Sequence, residues 1–69
     1  MIDFQLLILM LRNHGKKTSV IAKDIGAGYH HVKRLASGET QKTYFDTAIK
    51  LIDYAYEHLP EDQFMRLKL

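Results

Sequence analysis

Apolar residues recur along this chain at the three- and four-residue spacing of amphipathic helices. One face of a first helix, predicted over residues 3–13, carries Phe4, Leu7, Ile8 and Leu11. Asp3 is a suitable N-cap for this helix. A second stripe on the same helix consists of Leu6, Leu9 and Met10. A one-sided helix needs no second stripe, so either the C-terminus covers it or it contacts another subunit.

The stretch from Thr18 to Ser37 predicts two short helices that cross each other. Ile21 and Ile25 lie four residues apart and share a face of the first of these helices. Val32 and Leu35 lie three residues apart and share a face of the second. The two faces form an apolar seam, which is typical of a helix-turn-helix unit.

Glycines mark the ends of both helices in this stretch. Gly26 can adopt positive φ and end the first helix after Ile25, and the small Ala22 permits close crossing. We expect the second helix to cover residues 28–36, with Ser37-Gly38 ending it.

A longer helix is predicted from Tyr44 to about His58. Thr43 and Asp46 have the spacing of a capping box at its start. The expected apolar face comprises Phe45, Ala48, Ile49, Ile52, Ala55 and Tyr56. Leu51 and Tyr54 lie partly off that face.

The C-terminal tail is compatible with two structures. Pro60 suits the first position of a fifth helix, and Glu61 and Asp62 favour its positive end. The apolar residues of the tail, whose spacing fits a helix in part and a strand in part, are Phe64, Met65, Leu67 and Leu69. The proline and the acids favour a helix, while a strand stays open for residues 64–69.

The length predicts a single domain over residues 1–69, and the helical spacing of its apolar residues predicts an all-α, compact bundle of about five helices. The chain has no cysteine, so disulfides and thiolate metal sites are excluded. Its longest apolar run, residues 6–11, is far shorter than the roughly 20 residues that cross a membrane. No signal peptide is recognisable. We therefore expect a cytoplasmic protein.

Charge is distributed unevenly along the sequence. Residues 12–42 hold seven Lys or Arg against two acids, a net charge of +5, whereas the remainder holds three against six, a net charge of −3. The basic segment coincides with the two crossing helices. Phosphate binding predicts this coincidence, whereas a generic solvated surface does not.

The polar face of the second crossing helix carries Tyr29, His30, Lys33 and Arg34. Each of these side chains can donate a hydrogen bond in at least one protonation state, and two are cationic. The major groove of DNA is wide enough to admit a helix of this kind. Arg34 can donate two hydrogen bonds to guanine, whereas Lys33 is better suited to phosphate.

The spacing of Ile21-Ala22, Ile25-Gly26, Val32, Leu35 and Ser37-Gly38 resembles the helix-turn-helix of the phage lambda-type repressor and Cro family. The chain is most similar to a small Cro protein. The resemblance implies DNA contacts from Lys16, Lys17, Thr18, Tyr29, His30, Lys33, Arg34 and Ser37. We expect a further DNA contact from Lys42, which lies in the basic segment. The Tyr29-His30 pair departs from the glutamine or serine that the family often carries, so no target sequence can be carried over. Thr18 or Ser19 is expected to cap the preceding helix.

Catalytic and metal-binding patterns are missing from the sequence. His30 and His31 point about 100° apart on a helix and cannot easily share an ion, and His14 and His58 have no spaced partner. No nucleophile motif or phosphate-binding glycine loop is present. We therefore expect neither an enzyme nor a cofactor, metal or small-molecule ligand.

These features predict a sequence-specific repressor of Cro type that binds double-stranded DNA as a homodimer on a pseudo-palindromic operator. The expected dimer interface lies in residues 60–69 and comprises Phe64, Met65, Leu67 and Leu69, with Leu6, Leu9 or Met10 beside them. Two alternatives stay open. One is an antitoxin-type helix-turn-helix that also binds a protein partner; the other is a protein-interaction module that no longer binds DNA.

Overall fold

The computed structural model describes residues 2–67, which contain five α-helices and no strand. The helices are α1 (Phe4–Asn13), α2 (Thr18–Ile25), α3 (Tyr29–Ser37), α4 (Phe45–His58) and α5 (Glu61–Met65). The expected all-α bundle of about five helices is confirmed. The tail is helical as far as residue 65, so the strand alternative is wrong there, while Leu69 lies outside the described residues. Within residues 2–67, every helix is too short or too polar to cross a bilayer.

Helix α1 is built as its sequence predicts. The Oδ1 atom of Asp3 accepts a hydrogen bond from the Leu6 amide at 3.1 Å, which caps the helix start. The fully buried residues of α1 are Leu7, Ile8 and Leu11. Its second stripe is divided, because Leu6 and Met10 pack against the core whereas Leu9 is exposed. Most of that stripe is therefore covered within the chain.

Helices α2 and α3 are joined by a three-residue turn and pack against each other. Gly26 has φ of 72° and ends α2 after Ile25, as expected. The Ala27 amide donates to the Ala22 carbonyl at 2.9 Å across this turn. The apolar seam between the helices is buried and consists of Ile21, Ala22, Ile25, Val32 and Leu35. Helix α1 also packs on α3, which closes the core over the seam.

Four predicted helix starts are wrong in detail. Helix α3 begins at Tyr29 with Gly28 as its N-cap, so it covers residues 29–37 and not 28–36. Helix α2 begins at Thr18 with Lys17 as N-cap, so neither Thr18 nor Ser19 caps it. Helix α4 begins after Tyr44, and no capping box forms. The Thr43 hydroxyl instead lies 2.7 Å from Nε2 of His31 on α3, and this hydrogen bond replaces the expected cap. Pro60 is the N-cap of α5 and not its first residue.

The face of α4 that packs on the core differs from the expected one. Its buried residues are Leu51, Tyr54 and Ala55, although Leu51 and Tyr54 were expected to lie partly off the apolar face. Phe45, Ile49 and Tyr56, which were expected to be buried, are exposed. The helix is rotated by about 100°, or one residue position, relative to the prediction. The apolar stripe with more large residues therefore faces outward.

A hydrogen bond between α4 and α2 explains why Tyr54 can be buried. Its hydroxyl donates to Oδ2 of Asp24 at 2.6 Å, so the polar end of the ring has a partner. Burial, and then the hydrogen bond to the Asp24 carboxylate, raise the pKa of Tyr54 from its ordinary value of 10.0 to about 12. The neutral tyrosine is therefore strongly favoured in the folded protein.

The tail residues pack largely onto their own chain. Leu67 is only 4% exposed and belongs to the core. Phe64 is half-buried and contacts the Tyr56 ring edge-on, with ring centroids 5.3 Å apart. At the other side of α5, Nε2 of His14 donates to Oε1 of Gln63 at 2.9 Å. The apolar character of Leu67 therefore has an explanation that involves no second subunit.

Candidate nucleic-acid interface

Helix α3 has two faces of opposite character. Its inner face is closed by Val32 and Leu35, both of which are fully buried. Its outer face carries the exposed side chains Tyr29, His30, Lys33, Arg34 and Ser37. None of these outer side chains belongs to the buried core. The helix can therefore present a polar, cationic surface without loss of packing.

Four of the predicted contact residues line one shallow depression of about 330 Å³. Its lining consists of His30, Lys33, Arg34, Ser37 and Glu39. Tyr29 lies next to this depression, because its ring meets the His30 ring edge-on with centroids 5.6 Å apart. The structure thus brings together the residues of α3 that the sequence assigns to DNA.

An acidic residue lies within this cationic surface. Nε of Arg34 is 3.5 Å from Oε2 of Glu39, and both side chains are more than 60% exposed. Gly38, with φ of 82°, ends α3 and turns the chain back toward the last helical turn. The position of Glu39 is therefore set by the glycine that terminates the helix.

Ser37 participates in the same turn. Its hydroxyl donates to the Arg34 carbonyl at 3.1 Å and accepts from the Glu39 amide at 3.3 Å. The Ser37 hydroxyl thus already donates its proton to the Arg34 carbonyl. To donate to DNA, the hydroxyl must first break this hydrogen bond. No sequence pattern identifies Glu39 as a partner of Arg34. The signal that could have found this contact is the place of Glu39 immediately after the Ser37-Gly38 helix end.

Lys42 lies in a neighbouring depression, between α3 and the start of α4. This depression is lined by His31, Lys42, Thr43 and Tyr44. The Lys42 side chain is exposed, and its backbone amide donates to Oγ1 of Thr40 at 3.2 Å. The linker is thus ordered by side-chain hydrogen bonds from Thr40 and Thr43. Lys42 does not line the depression that holds Arg34.

The start of α2 holds the remaining predicted contacts. Lys17 is exposed at the N-cap position, while Lys16 and Thr18 are partly buried. No side chain among residues 2–67 caps this helix start. Its first backbone amides therefore stay available to an anion. None of these three residues lines the depression on α3.

The histidines point in different directions. His30 faces the α3 depression, whereas His31 bonds to Thr43 and His14 to Gln63. In the described part of the chain, no three side chains of His, Cys, Asp or Glu come together as metal ligands would. The chemistry that this surface can perform is hydrogen bonding and ion pairing.

Comparisons with models of protein families, with curated proteins and with solved structures gave no match. The family resemblance therefore depends on the spacing of the residues at positions 18–38.

Proposed function

We propose that this chain is a sequence-specific repressor that binds double-stranded DNA with α3 in the major groove. The observation that carries the proposal is the separation of α3 into a buried apolar face and an exposed face with two cations. A helix that reads base edges needs such a face, because it must donate hydrogen bonds while its other side holds it on a rigid support.

The side chains of the outer face have distinct roles. Arg34 donates two hydrogen bonds to O6 and N7 of a guanine, and Lys33 neutralises a phosphate. Tyr29, at the first turn of α3, contacts a thymine methyl group or donates its hydroxyl to phosphate. Among residues 2–67 no carboxylate lies within ion-pair distance of Lys33, so its ammonium group is free to meet phosphate.

Residues outside α3 fix the position of the helix on the duplex. The uncapped amides at the start of α2, with Lys16 and Lys17, bind one phosphate. Lys42 binds the backbone on the other side of α3. Such contacts fix register and orientation and carry no sequence information. The net charge of +5 in residues 12–42, which include α2 and α3, strengthens binding to any duplex.

Repression then follows from occupancy of the operator, which excludes polymerase. One recognition helix contacts too few base pairs for selectivity among roughly a million or more competing sites. Two copies on a pseudo-palindromic operator, with their helices about 34–36 Å apart, double the contacted sequence. No cofactor is needed for this activity.

Selection of binding sites from a pool of random duplexes tests the proposal. We expect enrichment of a short motif repeated with two-fold symmetry about one helical turn apart. The Arg34→Ala variant should enrich a motif with relaxed preference at one position in each half. A pool that stays random after repeated selection at low salt would contradict sequence-specific recognition.

A further inference from the structure

The outward face of α4 carries an apolar stripe that the described chain leaves largely exposed. The stripe, called here the α4 stripe, consists of Phe45, Ile49, Ile52 and Tyr56. Phe45 is 78% exposed, Tyr56 71% and Ile49 42%, while Ile52 is partly buried. A small soluble domain rarely exposes this many large apolar side chains on one helix face, so the stripe marks an interaction surface.

The spacing of the α4 stripe is symmetric. Its members are separated by four, three and four residues, so the pattern reads the same in both chain directions. Its midpoint lies between Lys50 and Leu51. When two copies of α4 pack antiparallel about a two-fold axis at this midpoint, Phe45 lies opposite Tyr56 and Ile49 lies opposite Ile52 of the second copy. A surface of this kind is complementary to itself, which an interface between identical subunits requires.

The two ends of the α4 stripe also differ in shape. At one end Phe45 projects into solvent from the first turn of α4. At the other end Tyr56 borders a depression of about 380 Å³, whose further lining is Leu59, Glu61, Phe64 and Met65. A dry cavity of about 150 Å³ already holds a benzene ring, so this depression has room for a phenyl group.

We propose that the α4 stripe is the interface with a second copy of this chain, packed antiparallel, with each Phe45 inserted into the depression beside Tyr56 of the other copy. Because the arrangement is two-fold symmetric, the Phe45 side chains of both copies are inserted in the same way. This interface differs from the one expected in residues 60–69, because Leu67 is buried in its own core and only Phe64 and Met65 contribute, as the walls of the depression.

The exposed area predicts a weak dimer. A fully buried aromatic side chain removes about 150–250 Å² from water, and Phe45 and Tyr56 are about three-quarters exposed. With the two isoleucines, each copy buries roughly half of the ~800 Å² that a stable interface needs. We expect association in free solution at protein concentrations of about 0.1–1 mM.

Disulfide trapping tests the antiparallel arrangement directly, because the natural chain contains no cysteine. Phe45→Cys and Tyr56→Cys are prepared as separate proteins and are oxidised alone and as a mixture. The mixed pair keeps one natural Phe45–Tyr56 contact while the two thiols face each other at the opposite end. We expect the mixture to form disulfide-linked dimers at least several-fold faster than either protein alone.

Faster linkage of either single protein to itself would show a different arrangement and would overturn the proposal. A mixture that links no faster than unfolded chains do in denaturant would also overturn it. Circular dichroism before oxidation establishes that both variants are folded, which their high exposure at positions 45 and 56 favours.

Sedimentation equilibrium of the free protein provides a second, independent measurement. Phe45→Ala should weaken dimerisation at least tenfold relative to the natural chain. Tyr44→Ala is the matched control, since Tyr44 is also 78% exposed but lies outside the α4 stripe, and it should leave dimerisation unchanged. Equal effects of the two variants, or a monomer throughout the concentration range, would overturn the proposal.

The α4 interface specifies how the two copies of the proposed function meet and in that respect rests on it, but its tests contain no DNA. Failure to bind any duplex would therefore leave the dimer unaffected, and a monomeric protein that binds DNA would contradict the dimer alone.

Discussion

The Nε atom of Arg34 lies 3.5 Å from Oε2 of Glu39, so the arginine assigned to base recognition contacts a carboxylate of its own chain. Both side chains are largely exposed, and such pairs contribute only about 0–1 kcal/mol in water. A guanine or a phosphate can therefore displace Glu39 at small cost. In the proposed complex the Glu39 carboxylate also opposes the approach of DNA, because it repels phosphate.

Replacement of Glu39 tests this opposition. Glu39→Gln should raise affinity for duplex DNA by up to about fivefold, since it frees Arg34 and removes one negative charge from the interface. Fluorescence anisotropy with a labelled duplex measures the change. Glu57→Gln is the control, because Glu57 is exposed on α4 and its replacement changes the net charge equally. An equal gain in both variants would indicate a general charge effect without a role for the Arg34–Glu39 contact.

Arg34 should contribute to sequence-specific binding, whereas Lys33 should contribute equally to the binding of any duplex. Arg34→Ala is expected to cost about 1–3 kcal/mol on the selected duplex and to relax preference at one position. Lys33→Ala should weaken binding to all duplexes alike and reduce the slope of affinity against salt by about one. Titration of each variant with selected and random duplexes separates these effects. Equal losses on both duplexes for Arg34→Ala would contradict base recognition by this residue.

The turn between α2 and α3 should tolerate a side chain at one glycine and not at the other. Gly26 has positive φ, and Gly26→Ala should lower the free energy of unfolding by about 1–2 kcal/mol. No atom lies within 4 Å of the added Cβ at either Gly26 or Gly28, so the cost at Gly26 is backbone strain alone.

Gly28 has φ of −69° and serves as the matched control. At this position alanine lowers the conformational entropy of the unfolded chain, which stabilises the fold. It also replaces a favourable N-cap residue, which destabilises the fold, so the two effects oppose each other. Gly28→Ala should therefore change the free energy of unfolding by less than about 0.5 kcal/mol. Urea unfolding measures both variants, and equal destabilisation would show that the conformation of Gly26 is not the determinant.

The Tyr54–Asp24 hydrogen bond should stabilise the contact between α4 and α2. Tyr54→Phe removes a bond to a charged acceptor and should lower the free energy of unfolding by about 1.5 kcal/mol near neutral pH. Tyr56→Phe is the control, since its side chain is largely exposed. Similar stability of the natural chain and Tyr54→Phe would mean that the bond contributes nothing.

The same pair predicts a dependence of stability on pH. The pKa of Tyr54 rises from 10.0 to about 12 on folding, so the unfolded chain loses this proton first as pH increases. The contribution of Tyr54 is therefore complete below about pH 10 and is lost as pH rises toward 12. The stability difference between the natural chain and Tyr54→Phe should shrink between pH 9 and 11, and most of it is lost in that interval. A constant difference would contradict the raised pKa.

The sequence predicts those features of the fold that depend on local patterns. The Asp3 cap, the end of α2 at Gly26 and the buried pair Val32 and Leu35 each follow from neighbouring residues or from one helical repeat. The outer face of α3 follows in the same way, because the side opposite a buried seam must be exposed. Most of the candidate site is therefore visible without a structure.

Features that depend on contacts between distant residues are not visible in the sequence. Helix α4 carries two competing apolar faces, and the buried one includes Tyr54, whose hydroxyl bonds to Asp24, 30 residues away in the sequence. The capping box at Thr43 does not form, because the Thr43 hydroxyl is hydrogen-bonded to His31. The Arg34–Glu39 contact depends on the direction in which the chain leaves Gly38.

The proposed binding of DNA by the outer face of α3 is tested most directly by one measurement with two matched double variants. Lys33→Ala with Arg34→Ala removes both cations of that face, whereas Lys50→Ala with Arg66→Ala removes two exposed cations elsewhere, so net charge falls by two in each protein. Affinity for a labelled duplex is measured by anisotropy from 50 to 200 mM salt. We predict that the first variant binds at least tenfold more weakly and that its slope of log affinity against log salt concentration is smaller by about one to two. The affinity of the second variant should stay within about twofold of that of the natural chain. Equal losses in the two variants, or no binding by the natural chain at the lowest salt concentration, would contradict DNA binding by this face of α3.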